Sequence, residues 1–281
     1  MNRRKRLKKP AVKYLFDEWE VLSERFRSRR IFLFLDYDGT LTPITGKPGQ
    51  AVLSGGVRKV LQRLAEKPAY RLAVISGRAI ADIKKIVGIA GIVYAGNHGL
   101  EIEGPELKHH IFLHPRYRRI LMEAGDTLEN AVAGIKGAFV EDKGLSLSVH
   151  YRLVEPEKIP GLLTNLRRAL SGYVSRNEVK VKKGKMIIEV NPPVAWDKGK
   201  SVLWLIARWK AAAGDRNTLP VYLGDDRTDE DAFRAIGNKG VTVFVGNPAS
   251  ADTRARYYLR GTPEVTEFLK KITELKEIGG G

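Results

Sequence analysis

The sequence predicts an α/β protein: a doubly wound parallel sheet core with a smaller α+β domain inserted into it. Three observations carry this reading. Short unbroken apolar runs alternate with amphipathic helical stretches near both ends of the chain, the alternation stops in the middle, and a strict two-residue period replaces it there. A chain of 281 residues, 43% hydrophobic, is long for one simple core and well able to fill a core plus an insertion.

The elements follow in order. Residues 11–29 place Val12, Leu15, Trp19, Leu22 and Phe26 at three- and four-residue spacing, which predicts a leading amphipathic helix. Residues 31–35 (IFLFL) are too short for a helix and suit a strand buried on both faces. Then come a helix over 57–66, a strand over 71–75, a Ser-Gly-Arg turn, a helix over 80–87 and a strand over 92–95. After Pro192-Pro193 the pattern resumes with a helix over 198–209, strands over 221–223 and 242–245, and a helix over 230–236 between them. In the middle, residues 145–152 (LSLSVHYR) alternate, with Leu145, Leu147, Val149 and Tyr151 on one face, and so read as a half-buried antiparallel strand. Residues 178–190 read as two strands around Lys-Gly-Lys, and helical stretches near 116–133 and 157–171 complete an α-β-β-α-β-β module. The expected divisions are 1–29 (basic arm and leading helix), 30–109 (core), 110–192 (insertion) and 193–281 (core).

Composition excludes several classes of function. No apolar run approaches the ~18 to 20 residues of a membrane span, and no stretch resembles a secretory signal, so a soluble, cytoplasmic protein is expected. Zero cysteines remove disulfides, thiolate nucleophiles and Cys-bound zinc. The net charge of +17 and pI near 9.9 invite a nucleic-acid reading. The distribution argues against it: six of the positive charges lie in the first ten residues, without aromatic residues interleaved for base stacking.

Chemistry collects where the strands end, the place where open parallel sheets bind ligands. Asp36 and Asp38 follow the first core strand, Ser76 the second, and Asp225 with Asp226 the strand ending at Leu223. Such carboxylates repel one another unless a cation neutralises them, and oxygen donors without His or Cys beside them point to Mg²⁺. Lys198 opens a helix whose positive dipole end already lies there, a conflict that a bound phosphate would remove. Asp36 can attack phosphorus while Asp38 protonates the departing alcohol and later deprotonates water. Gly39 frees the turn, and the amides around it can hold phosphoryl oxygens. Thr228 is a credible N-cap with Glu230 and Asp231 favoured in the first turn; Asp229 reads equally as a cap group or as a contact to the metal or its waters.

Taken together, these residues resemble the haloacid dehalogenase-like phosphohydrolases: the signature stands as Asp36-Tyr-Asp-Gly-Thr-Leu41, the second motif at Ser76, the lysine at Lys198, the acidic motif at Asp225-Asp226. A narrower resemblance is to the trehalose-6-phosphate phosphatases, through LDYDGTL (35–41), SGR (76–78), GNHG (96–99), DKG (197–199) and GDDRTDED (224–231). It implies a Rossmann-like, haloacid dehalogenase-like core and hydrolysis of trehalose 6-phosphate through an aspartyl-phosphate. It further implies Mg²⁺ on Asp36, the Asp38 carbonyl and Asp225, and the insertion as a cap that closes over the sugar. A free-standing phosphatase is expected, with a separate trehalose-phosphate synthase as a candidate partner.

The cap pairs of that family are matched by Glu141-Asp-Lys143 and Lys185-Met-Ile-Ile-Glu189, whose spacings put each pair on one strand face. Read as residues alone, they serve equally as surface ion pairs. Arg78, Asn97, His98 and Arg152 join them as candidate ligand contacts. Two other readings remain: the same core acting on sucrose phosphate or mannosylglycerate phosphate, and a phosphate-responsive regulatory or nucleic-acid-binding protein. Asp38 counts against the second, since a phosphorylation switch needs no acid-base partner.

Overall fold

The computed structural model describes residues 11–275 except 47, 106, 112 and 214–216. The basic arm before residue 11 and the final Ile-Gly-Gly-Gly lie outside the described residues.

In chain order the first part of the core comprises β1 (Lys13–Tyr14), α1 (Trp19–Arg27), β2 (Arg30–Leu35), α2 (Gly55–Glu66), β3 (Tyr70–Ile75), α3 (Ile80–Val87), β4 (Val93–Gly96), β5 (Glu101–Gly104) and β6 (Leu107–His110). The middle comprises α4 (Pro115–Val132), β7 (Phe139–Asp142), β8 (Leu147–His150), α5 (Ile159–Ser175), β9 (Lys180–Lys183) and β10 (Ile187–Asn191). The chain returns through α6 (Lys198–Ala213), β11 (Thr218–Gly224), α7 (Asp229–Ile236), β12 (Val241–Val245), β13 (Tyr257–Leu259) and α8 (Thr262–Glu274).

The large sheet runs β1-β13-β12-β11-β2-β3-β4-β5-β6, parallel from β1 to β4 and antiparallel at β5 and β6. From the central β2 the chain first winds outward to β4 and later returns to place β11 on the other side. That reversal opens a crevice beyond the carboxyl ends of β2 and β11. Because helices cover both faces, the central strands bury both rows of side chains, which is why IFLFL does not alternate. One core packs α1, α2, α3 and α8 on one face; Val202, Leu205, Ala232, Phe233 and Ile236 of α6 and α7 close the other.

The inserted residues form an antiparallel sheet, β7-β8-β10-β9, with its own core against α4 and α5. Here the expected half-exposed strand needs correction. Ser146 and Ser148 are as buried as Leu147 and Val149, because the polar face of β8 turns toward the large domain instead of water.

The leading helix is also shorter than its periodicity predicts. Residues 13–14 are an edge strand on β13, residues 15–18 form a 3₁₀ turn, and the α-helix begins only at Trp19. Edge backbone on β13 offers hydrogen bonds that a helical first turn would leave unmade. The β5–β6 hairpin, β13 and α8 escaped the sequence reading, although Pro263 followed by Val265, Phe268, Leu269 and Ile272 is a legible amphipathic helix start.

Candidate active site

Asp36 leaves β2 with its N–H still donated to the Leu223 carbonyl (3.0 Å), so the residue stays in line with the sheet and its carboxylate points into the crevice. The chain then turns tightly. Gly39 has φ +92°, and a Cβ there would lie 2.3 to 2.7 Å from the carboxylate atoms of Asp225, so both backbone and space demand glycine. Its N–H is already spent on the Thr42 carbonyl (2.7 Å), which corrects the expectation that this amide holds a phosphoryl oxygen. Gly39 instead lets two strand ends carrying acids approach each other.

Lys198 is 3% exposed and lies 2.7 Å from Asp36 Oδ1 and 2.8 Å from Asp229 Oδ1. Burial alone would lower the lysine's pKa, but the two carboxylates reverse this and raise it well above its ordinary value. Asp229 accepts from the N–H groups of Asp225 (2.9 Å) and Asp226 (3.0 Å) through Oδ2, and from the Tyr222 hydroxyl (2.7 Å) through Oδ1. It is therefore the strut that shapes the acidic loop. Asp226, not Thr228, caps α7: its Oδ1 accepts from the Thr228 N–H (2.8 Å) and hydroxyl (2.7 Å), and Thr228 itself has helical dihedrals. Burial would raise Asp226, yet Lys198 and the Thr228 hydroxyl bring it down to about 2.

Ligand atoms of Asp36, Asp225 and Asp229 lie within 4.8 Å of one another. Burial pushes Asp36 well above the carboxylate range, with Lys198 opposing and Asp229 and Asp225 adding to it; burial likewise takes Asp225 up to about 7 against Lys185. Asp225 Oδ1 is buried without a hydrogen-bond partner. Crowded hard oxygens with one atom unmatched fit a divalent cation such as Mg²⁺. Of the five acids expected to bind metal, these three converge, whereas Asp226 spends an oxygen on its cap and the Asp38 carboxylate is held elsewhere.

That holder is Arg78. Its Nε and Nη2 lie 2.7 Å from the two oxygens of Asp38, and Nη1 lies 3.0 Å from Asp82, a fork that sets the Asp38 carboxylate at the mouth of the crevice. Asp38 remains 40% exposed while Arg78 is buried. Ser76, at the end of β3, accepts the Arg78 N–H through its hydroxyl (3.2 Å) and is itself buried.

The inserted module, the segment expected to serve as a cap, faces this end of the sheet. Asp38, Arg78 and Asp225 line one side of a cleft, and Glu141, Lys143, His150, Arg152, Lys185 and Glu189 line the other. Each cap group is presently held by the protein. Glu141 accepts from His150 (2.7 Å), Lys143 donates to the Gly77 carbonyl (3.0 Å), and Lys185 contacts the Asp225 carboxylate and its carbonyl oxygen. Arg152 donates to the Lys185 carbonyl (2.5 Å) and so props the β9–β10 turn. His98, at φ +56°, pairs with Glu189 at 2.8 Å. Asn97 is placed differently from expectation: it is fully buried and bonded only to protein groups, so it does not reach the cleft.

Glu189 carries a measurable consequence. Burial pushes its pKa up, but His98 overcomes this and holds it at about 2, below the ordinary 4.5. A depressed folded-state pKa stabilises above the unfolded value and loses that contribution as pH falls from 4.5 toward 2. Chemical denaturation of wild type and Glu189→Gln is expected to show a stability gap of roughly 3 kcal/mol at pH 6 that shrinks toward pH 3. A gap independent of pH would refute the ion-pair account.

Sequence reasoning missed Tyr222 and Ser146. Tyr222 left a signal, since a tyrosine inside an otherwise apolar central strand must find a partner for its hydroxyl; Ser146 left none.

A doubly wound sheet with split carboxylates on its central strand, a buried lysine and an acidic loop on the neighbouring strand defines a haloacid dehalogenase-like fold with a phosphohydrolase site. Comparison narrows this class. Residues 34–263 match the model of the trehalose-phosphatase family, and the chain belongs to that family. Trehalose 6-phosphate phosphatase RA3 of Zea mays is 34% identical over 274 residues, covering 92% of this chain and 74% of the relative. Probable trehalose-phosphate phosphatase 3 of Oryza sativa subsp. japonica is 33% identical over 275 residues, covering 92% and 73%. Among solved structures, the C-terminal domain of C. albicans trehalose-6-phosphate phosphatase superposes with a TM-score of 0.81 at 26% identity, covering 95% of this chain and 100% of that one. Among the described residues no helix is long and apolar enough to cross a membrane.

Proposed function

We propose that this chain hydrolyses trehalose 6-phosphate to trehalose and inorganic phosphate, the last step of trehalose biosynthesis, with Asp36 as nucleophile and Asp38 as acid and base. The observation that carries the reading is the separation of the two carboxylates: Asp36 buried against Lys198, Asp38 at the mouth on Arg78. An Asp36 carboxylate oxygen forms a bond to phosphorus as the ester P–O bond breaks, and Asp38, entering this step protonated, gives its proton to the departing sugar oxygen. Asp38, now ionised and back on Arg78, takes a proton from water as the water oxygen attacks the aspartyl-phosphate, releasing phosphate and restoring Asp36. Lys198 orients Asp36 and offsets negative charge throughout.

Asp36, the Asp38 carbonyl and Asp225 would hold Mg²⁺, which supplies charge neutralisation for the phosphoryl oxygens when bound. Glu141, Lys143, Lys185 and Glu189 are the groups we assign to the sugar hydroxyls. Their present internal partners are exchangeable for hydroxyls, and sugar contacts far from phosphorus can orient the ester and exclude water.

The test is phosphate release from trehalose 6-phosphate, sucrose 6-phosphate, glucose 6-phosphate and p-nitrophenyl phosphate, each with Mg²⁺ and with EDTA. A metal-dependent preference for trehalose 6-phosphate is expected. Preference for another ester would discard the sugar assignment, and release unaffected by EDTA would discard the metal.

A further inference from the structure

Asn97 connects the Ser76–Arg78 loop to the cap. Its N–H donates to the Arg78 carbonyl (2.7 Å), and the next N–H, of His98, donates to the Ser76 carbonyl (2.9 Å), so the backbone here is tied to the segment carrying both residues. Its side chain points the other way. Nδ2 donates to Glu101 Oε2 (2.8 Å) and to the Lys143 carbonyl (3.2 Å), and Oδ1 accepts from the Ser146 hydroxyl (2.8 Å). Two obligate acceptors on one side fix which end of the carboxamide is nitrogen.

The two cap residues it grips are those that close the β7–β8 turn, through a Lys143 N–H to Ser146 carbonyl bond of 2.9 Å. Glu141 and Lys143, assigned above to the sugar, stand on this turn and the strand leading into it. The loop is also held in an uncommon conformation: Asn97 and His98 both have positive φ (+49° and +56°), a left-handed region that asparagine and histidine enter more readily than most residues but still at a cost. A Cβ on Gly99 would collide with the Ser201 side chain, so the loop has little room to relax.

We propose that Asn97 is a positioning residue for sugar specificity: it docks the β7–β8 turn of the cap onto the Ser76–Arg78 loop and so sets Glu141 and Lys143 over the reacting ester. This rests on the function proposed above. It assigns Asn97 no contact with the sugar.

Asn97→Asp keeps the shape and the Ser146 bond but turns an oxygen toward Glu101 and the Lys143 carbonyl, where two acceptors already stand. Ser146→Ala removes one bond from the cap side without touching the strained loop. For Asn97→Asp, KM for trehalose 6-phosphate is expected to rise roughly tenfold or more, the scale of a broken buried polar contact. Its kcat/KM ratio of trehalose 6-phosphate to p-nitrophenyl phosphate should fall by a similar factor, since the small ester has no sugar for the cap to hold. Ser146→Ala should show the same trend more weakly. Equal losses on both esters, or no change in the ratio, would overturn the proposal. Hydrogen exchange at the amides of residues 143–147, measured without substrate, reads the contact independently. Faster exchange in both variants supports docking and unchanged exchange refutes it, even if wild type prefers a different sugar phosphate.

Discussion

Asp36→Asn should reduce turnover of every phosphate ester by roughly a thousandfold or more, the scale seen when a nucleophile is removed. The amide occupies the same space and keeps an oxygen for Lys198, which stands 2.7 Å away, but it cannot form the acyl-phosphate bond. Stability should move the other way or not at all. Burial and the neighbouring acids push Asp36 well above the carboxylate range, so its charge is held at a cost without metal, and a neutral isostere removes that repulsion. Phosphate release and thermal unfolding in EDTA check both halves. Residual hydrolysis near wild type would remove Asp36 from the chemistry; a marked fall in melting temperature would show that its ion pair with Lys198 outweighs the repulsion.

Lys198→Met should abolish activity and also destabilise. This ammonium is the buried cation between Asp36 and Asp229, and its removal strands two buried carboxylates. Breaking a buried pair by deleting one partner costs about 3 to 5 kcal/mol, because the remaining charge has nothing to offset it. Methionine preserves most of the volume, so the loss reads as charge and not as a cavity. Urea unfolding with and without Mg²⁺ distinguishes the sources of the deficit. A divalent ion on Asp36 and Asp225 should narrow it, while a deficit indifferent to Mg²⁺ would mean that the acids do not share a cation.

The separation between these two residues also shows where sequence reasoning had purchase. Asp36 was legible because an apolar run ending in acids is a local pattern, and Lys198 because a helix start is. That they meet across 162 residues is not local, and only the motif resemblance proposed it. Even inside the motifs the reading went astray in specific ways. Thr228 looked like the cap of α7, but its own N–H and hydroxyl both donate to Asp226, which takes the capping role two residues earlier. Gly39 looked like a phosphate amide, but the Thr42 carbonyl takes its N–H. Asn97, inside GNHG, looked like a ligand contact and is a buried link between two domains.

By itself the sequence determined the α/β alternation, the interruption by an antiparallel module and the acids at the strand ends. Each of these is written in residues within a few positions of one another, through side-chain period, chain reversal and the short reach of a turn. Tertiary structure alone decided the partners: Lys198 with Asp36, His98 with Glu189 across 91 residues, Asn97 with Ser146 across 49. The same packing turned the serine face of β8 inward. Hydrogen bonds and charges act over a few ångströms in space, and which distant side chains come within that range is set by how the sheet, its helices and the cap pack together.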